Sequence, residues 1–171
     1  MCGILAVIGD YRYKEIPEAL IERGRDDQGV YQDDHVQLMQ TRLEITPCKV
    51  KLPFQHKGMV LLFNGEIYNW RELSEEVGGN NEYEVIINSF IRWGNDLHLH
   101  LDGQFYIIIY NPNNPEQKVY HFQDPFKIHT VYYDKFEGSE IYASNLRSLP
   151  EIKLKEPQHQ GFGNITTAKV L

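Results

Sequence analysis

The first residues of the chain decide where it has to start. Cys2 to Ile8 is an unbroken apolar run closed by Gly9-Asp10. Its shortness and its Val and Ile content predict a buried strand rather than a helix. A strand buried from its first residues puts the N-terminus inside the fold, so the rest of the chain must be built around it. The 171 residues, 42% of them hydrophobic, suffice for one globular domain over 1–171 with its own core. They do not suffice for two separately folded catalytic domains.

Beyond that strand, Pro17 to Glu22 reads as a short helix, Arg23 to Gly29 as a loop, and Val30 to Gln40 as a hairpin turning at Asp33-Asp34. Met59 to Tyr68 predicts two strands around Asn64-Gly65, since Asn-Gly is the strongest short hairpin signal. Asn69 is placed to cap the helical stretch RELSEEV, which stops at Gly78-Gly79. A second helix runs from Glu82 to Trp93, with Val85, Ile86, Phe90 and Trp93 near one face and Gly94 as its stop. GQFYIIIYN, KVYHF, TVYYDKF and EIYAS are β-branched and aromatic runs between turn residues, ASNLRSLP is one short helix, and ITTAKVL rejoins a sheet after a polar stretch. Few helices among many strands predict an α+β fold in which sheets pack together and helices cover the outside.

Several function classes drop out. The net charge of −7 is scattered, without a basic patch, which argues against nucleic acid or an anionic membrane as partner. Two cysteines are thin for a secreted scaffold, and MCGILAVIGD lacks the basic start of a signal peptide. No run approaches membrane-spanning length. A soluble cytoplasmic protein is expected. His98 and His100 in LHLHLDG would project from one side of a strand, but no cysteine or carboxylate at ligand spacing accompanies them, so no metal is expected. GGNNE lacks the Gly-Lys-Ser/Thr element of a phosphate loop, and no cofactor is expected. Cys48, beside Pro47, has no base near it in sequence and reads as structural.

What remains is amide chemistry. With Met1 removed, Cys2 would present its thiol and its α-amine together at the edge of a sheet, and Gly3 would let a ligand come close. An α-amine has an ordinary pKa of about 7.7–8.0, so it can take the thiol proton without a histidine. Asn64 and Gly65 are a turn by local habit, but within NGEIYN they also offer an amide and a backbone N–H suited to an oxyanion. Arg42 is either an exposed arginine in a weak ion pair or a fork for an α-carboxylate. Glu66 and Glu82 are then placed to hold an α-ammonium, although Glu82 at a helix start also suits the helix dipole.

Taken in order, these residues resemble the class II glutamine amidotransferase domain, an N-terminal-nucleophile hydrolase, above all the version at the front of glutamine-dependent asparagine synthetases. Met-Cys-Gly-Ile resembles its processed terminus; Arg23, Gly24, Asp26 and Gly29 resemble its Arg-Gly-Pro-Asp loop; Arg42-Leu43 with Ile45 is similar to its substrate-arginine segment. Asn64 to Asn69 repeats its Asn-Gly-Glu-Ile-Tyr-Asn motif, and Glu84-Val85-Ile86, Leu101, Gly103, Phe105 and Ala143-Ser144 fall at similar places. The resemblance implies a four-layer αββα sandwich, Cys2 as nucleophile, and an oxyanion hole from Asn64 and Gly65. It also implies L-glutamine as substrate, held by Arg42, Ile45, Glu66 and Glu82.

The chain departs from that pattern at Glu82, where the family has aspartate, and at Arg25 in the loop. In QDPFKIHTVYY, Gln123, Lys127 and Thr130 replace arginine, glycine and proline, and Asn145 replaces a glutamate. The Ser-Gly-Gly-x-Asp-Ser loop with which such synthetases grip pyrophosphate is absent. The reading that follows is a stand-alone glutaminase domain whose ammonia goes to a separate synthetase. Two others stay open: an amidohydrolase of the same fold acting on a different amide, and a non-catalytic glutamine-binding or regulatory homologue.

Overall fold

The apolar start does become a strand. In the computed structural model, which describes residues 2–43 and 50–150 and the backbone of 169–170, β1 (Gly3–Ile8) is buried from Gly3 through Val7. Its neighbours are β3 (Val36–Arg42), which pairs Gly3 with Thr41, and β9 (Ser139–Ala143), which pairs Leu5 with Ala143. With β2 (Asp27–Gln32), β8 (Tyr132–Phe136) and β10 (Lys169–Val170), these strands form a sheet ordered β10-β8-β9-β1-β3-β2. A second sheet is ordered β4-β5-β6-β7, from β4 (Phe54–His56), β5 (Met59–Ile67), β6 (Gly103–Tyr110) and β7 (Val119–Gln123). Every pairing within the two sheets is antiparallel.

Strand alternation sorts the core into layers. Ile4 and Ala6 of β1 and Leu38 of β3 meet Val60, Leu62 and Ile108 of the second sheet. Leu5 and Val7 turn to the opposite face and pack with Leu20 of α1 (Glu18–Ile21). On the outer face of the second sheet, Leu61, Phe63, Ile107 and Ile109 pack against Val85, Ile86 and Phe90 of α3 (Glu82–Trp93), with Leu73 of α2 (Trp70–Val77) in the same cluster. The result is helix, sheet, sheet, helix: an α+β sandwich of αββα type. Each fully buried aliphatic side chain contributes about 1.5–3 kcal/mol toward holding the layers together. Among the described residues, no helix is long and apolar enough to cross a membrane.

Three local expectations fail. Asn64-Gly65 makes no hairpin: β5 runs straight through, with Asn64 paired to Tyr106 and Gly65 to Phe105. The reason is tertiary, since β6 offers a partner along the whole length and complementation of a long strand outweighs a two-residue turn habit. His98 and His100 do not share a strand face, because Gly94–Leu99 is a 3-10 helix and the His100 ring stacks on Trp93 at 3.9 Å between centroids. Asn69 meets α2 through its backbone alone, its carbonyl accepting from Leu73 N–H at 3.0 Å; its side chain donates to the His100 carbonyl and accepts from Asp102 N–H, both at 3.0 Å. The true side-chain cap is Asn81, which accepts from Glu84 N–H at 3.0 Å at the start of α3. Smaller shifts are an earlier start for β2, at Asp27 rather than Val30, and a 3-10 turn at Leu146–Ser148. The polar stretch at 153–163 lies outside the described residues, while Lys169–Val170 does rejoin a sheet, against β8.

Candidate active site

The Gly3–Thr41 pairing, extended by one residue, sets Cys2 beside Arg42 at the end of the first sheet. Gly3 is required there, because a Cβ would press on Thr41 Oγ1 and on the Leu20 carbonyl. Cys2 is half-buried. Burial pushes its thiol pKa up, opposed by the Leu43 backbone N–H and by the positive charges of Arg42 and Arg23. Arg23 Nε also reaches the Cys2 carbonyl at 3.4 Å. Arg42 is buried, not exposed, and its Nη2 is ion-paired to Asp27 Oδ2 at 2.8 Å. That contact tethers one end of the guanidinium.

The second sheet supplies the facing wall. The last stretch of β5 carries Asn64, Gly65 and Glu66 just before its final residue Ile67, with Asn64 only 1% exposed and Glu66 open to solvent. Gly65 has φ +143°, and a side chain there would run into the Gln104 carbonyl of β6. Glu82, the first residue of α3, accepts a hydrogen bond from Ile67 N–H through Oε1. Burial lifts its carboxyl to about 7; the Ile67 bond opposes that shift and the charge of Glu66 adds to it. Below the site, Gln40 Nε2 of β3 donates to the Phe63 carbonyl of β5 at 2.8 Å and ties the two sheets.

These elements enclose a cleft of about 630 Å³ into which Cys2, Arg42, Asn64, Gly65, Glu66 and Glu82 all face. Ile45 lies outside the described residues, as does Cys48. A thiol, an amide, a backbone N–H, a guanidinium and two carboxylates around a volume this size suit a small zwitterionic amide. Among the described residues, no group of three histidine, cysteine or acidic side chains is placed to hold a metal.

The family model of the glutamine amidotransferase domain matches residues 1–169. The chain belongs to that family. Its members are class II amidotransferases, amidohydrolases with an N-terminal nucleophile. The chain is 27% identical over 169 residues to asparagine synthetase [glutamine-hydrolyzing] 1 of Bacillus subtilis, covering 87% of this chain and 26% of the relative. It is 34% identical over 125 residues to asparagine synthetase [glutamine-hydrolyzing] 1 of Arabidopsis thaliana, covering 64% of this chain and 21% of that one. It thus spans a minor part of the length of the curated relatives it matches. Among solved structures, glutamine phosphoribosylpyrophosphate amidotransferase from B. subtilis superposes with a TM-score of 0.66 at 16% identity, over 83% of this chain and 41% of that one. That likeness concerns the fold.

Among the polar side chains of this amidotransferase cleft that the sequence reading passed over, His129 is the one in contact with Asn64. His129 lines it and is 7% exposed, with Nδ1 3.3 Å from Asn64 Nδ2. It sits on the segment that crosses from β7 in one sheet to β8 in the other, a segment organised by buried Asp124. The Asp124 carboxylate accepts from the N–H groups of Phe126 at 2.9 Å, Phe105 at 3.2 Å and Ile128 at 3.3 Å. Gln123 Nε2 in turn holds the His129 carbonyl at 2.9 Å. No spacing rule links positions 64 and 129. The available signal was a lone histidine inside QDPFKIHTVYY, the stretch where departures from the family cluster.

Proposed function

We propose that this domain hydrolyses L-glutamine to glutamate and ammonia, with Cys2, freed by removal of Met1, as its N-terminal nucleophile. The observation that carries the reading is the convergence of Cys2, Arg42, Asn64, Gly65, Glu66 and Glu82 on one cleft from two sheets and a helix. In this reading the Arg42 guanidinium takes the substrate's α-carboxylate, and Glu66 and Glu82 take its α-ammonium. Ile45 belongs to the same binding segment. The Cys2 sulfur attacks the side-chain amide carbon while the α-amine accepts the thiol proton. The carbonyl electrons move onto oxygen, where Asn64 Nδ2–H and Gly65 N–H receive the charge. Collapse of this intermediate expels ammonia, which leaves with the proton held by the α-amine, and a γ-glutamyl thioester remains. Water then attacks the thioester, releasing glutamate and restoring the thiol.

Replacing Cys2 by alanine should reduce glutamate release to background, and undiminished turnover would sink the reading. The mass of the purified chain should lack Met1, because a retained methionine would lock the base into an amide. The names of the relatives join glutamine hydrolysis to asparagine synthesis, and we assign the ammonia to a separate synthetase. Supplying a candidate synthetase with this domain and glutamine in place of ammonia tests that assignment by product formation. The engagement of Glu82 by the Ile67 amide also favours a second reading, in which the same chemistry serves another amide. Relative rates on glutamine, asparagine and short acyl-amides separate the two.

A further inference from the structure

The buried contact between Asn64 and His129 joins two parts of the chain that the catalytic reading treats as unrelated. Asn64 Nδ2 carries two protons and no acceptor capacity, so whichever proton faces His129 Nδ1 requires a bare nitrogen there. The imidazole is then neutral with its proton on Nε2. One further observation agrees. His129 is desolvated, which disfavours its cation; Asp124 opposes that shift and Arg23 reinforces it. Among the described residues His129 Nε2 has no hydrogen-bond partner, so no other contact there competes with Asn64 for the ring.

The ring itself has little freedom. Gln123 Nε2 grips its carbonyl, and the Asp124 carboxylate gathers the N–H groups on either side of the turn at Lys127, whose φ is +52°. Among the described residues Asn64 has no other contact that chooses its orientation, since its Oδ1 is buried without a partner there. An asparagine amide free to flip presents carbonyl oxygen as readily as nitrogen, and oxygen repels a developing oxyanion.

We propose that neutral His129 is the positioning residue of the oxyanion site, accepting one Asn64 amide proton at Nδ1 so that the other stays directed at the reacting oxygen. The proposal rests on the glutaminase reading for its catalytic meaning, but the hydrogen bond can be tested without it. In this proposal His129 acts through Asn64, so its removal is read in the chemical step rather than in binding.

In His129→Leu, kcat for glutamine should fall by up to about a hundredfold, with KM and the rate of Cys2 alkylation by iodoacetamide unchanged. His129→Asn, whose Oδ1 stands near the former Nδ1, should recover part of the loss. An unchanged kcat in His129→Leu overturns the proposal. So do equal losses in both variants, which indicate that the ring merely fills space. Long-range nitrogen–proton correlation spectra of the unmodified protein should show the Nε2–H tautomer. An Nδ1–H tautomer or an imidazolium at neutral pH overturns the proposal whatever the activity. Unmodified protein that does not hydrolyse glutamine would defeat the glutaminase reading, and the tautomer would still decide the hydrogen bond.

Discussion

Glu82 carries its charge against its surroundings. Burial pushes its carboxyl up to about 7, above the ordinary glutamate value of about 4.3. A raised folded pKa means that the neutral form stabilises the fold. That contribution is complete below about pH 4.5 and is lost as the pH rises through about 7. Tm should therefore carry a component that declines over this window, and Glu82→Gln should flatten it in thermal melts taken at successive pH values. Binding of an ammonium needs the opposite, ionised form. KM for glutamine should accordingly fall as the pH rises toward about 7, and a KM that is constant between about pH 5.5 and 7.5 would count against Glu82 as a substrate ligand. Asn64→Ala tests the other end of the cleft: kcat should drop about 10²–10³-fold with KM little changed. That Cys2, Arg42, Asn64, Glu66 and Glu82 would meet in one cleft was legible from their order along the chain and the chemistry of their side chains. His129 was not legible, because its importance lies in a contact across the two sheets that no local pattern encodes.

Elements were read best where burial follows a period. α3 has the predicted bounds, and β1 is the predicted buried strand. Misreadings arose where a short signal competed with a long partner. Asn-Gly at 64–65 favours a turn by itself, yet β6 pairs with β5 from Val60 to Ile67 and keeps the chain extended. Gly65 then serves a different need, since its φ of +143° and the adjacent Gln104 carbonyl leave no room for a Cβ. Gly65→Ala should destabilise the domain by at least about 1–3 kcal/mol in chemical denaturation. The Asp124 turn is a comparable device. Asp124→Ala removes an acceptor shared by three backbone N–H groups, each such charge-assisted bond contributing about 1.5–3 kcal/mol. Amide exchange at Phe105 and Ile128 should accelerate, while the amides of β1 keep their protection.

At the scale of the molecule, the layer between the sheets is apolar and closely filled, with Ile4, Leu38, Leu62 and Ile108 fully buried. Leu62→Ala should lower stability by about 2–5 kcal/mol, read from the urea midpoint at constant m-value. The α+β class was legible from the count of apolar runs, whereas which sheet each run joins was not. β7 and β8 are consecutive and belong to different sheets, and sequence periodicity does not mark such a crossing. The Gln40 side chain that spans from β3 to the Phe63 carbonyl gives this layering a use as a gauge. Cys2 leads into one sheet and Asn64 stands on the other, so the gap from sulfur to amide is set by the thickness of the apolar filling, and turnover becomes a ruler laid across the sandwich. Swaps that thin or thicken the filling by a methylene should lower kcat at temperatures where the fold is fully populated, beyond their cost of about 0.5–3 kcal/mol in stability, and Gln40 is the clamp that keeps the ruler's zero.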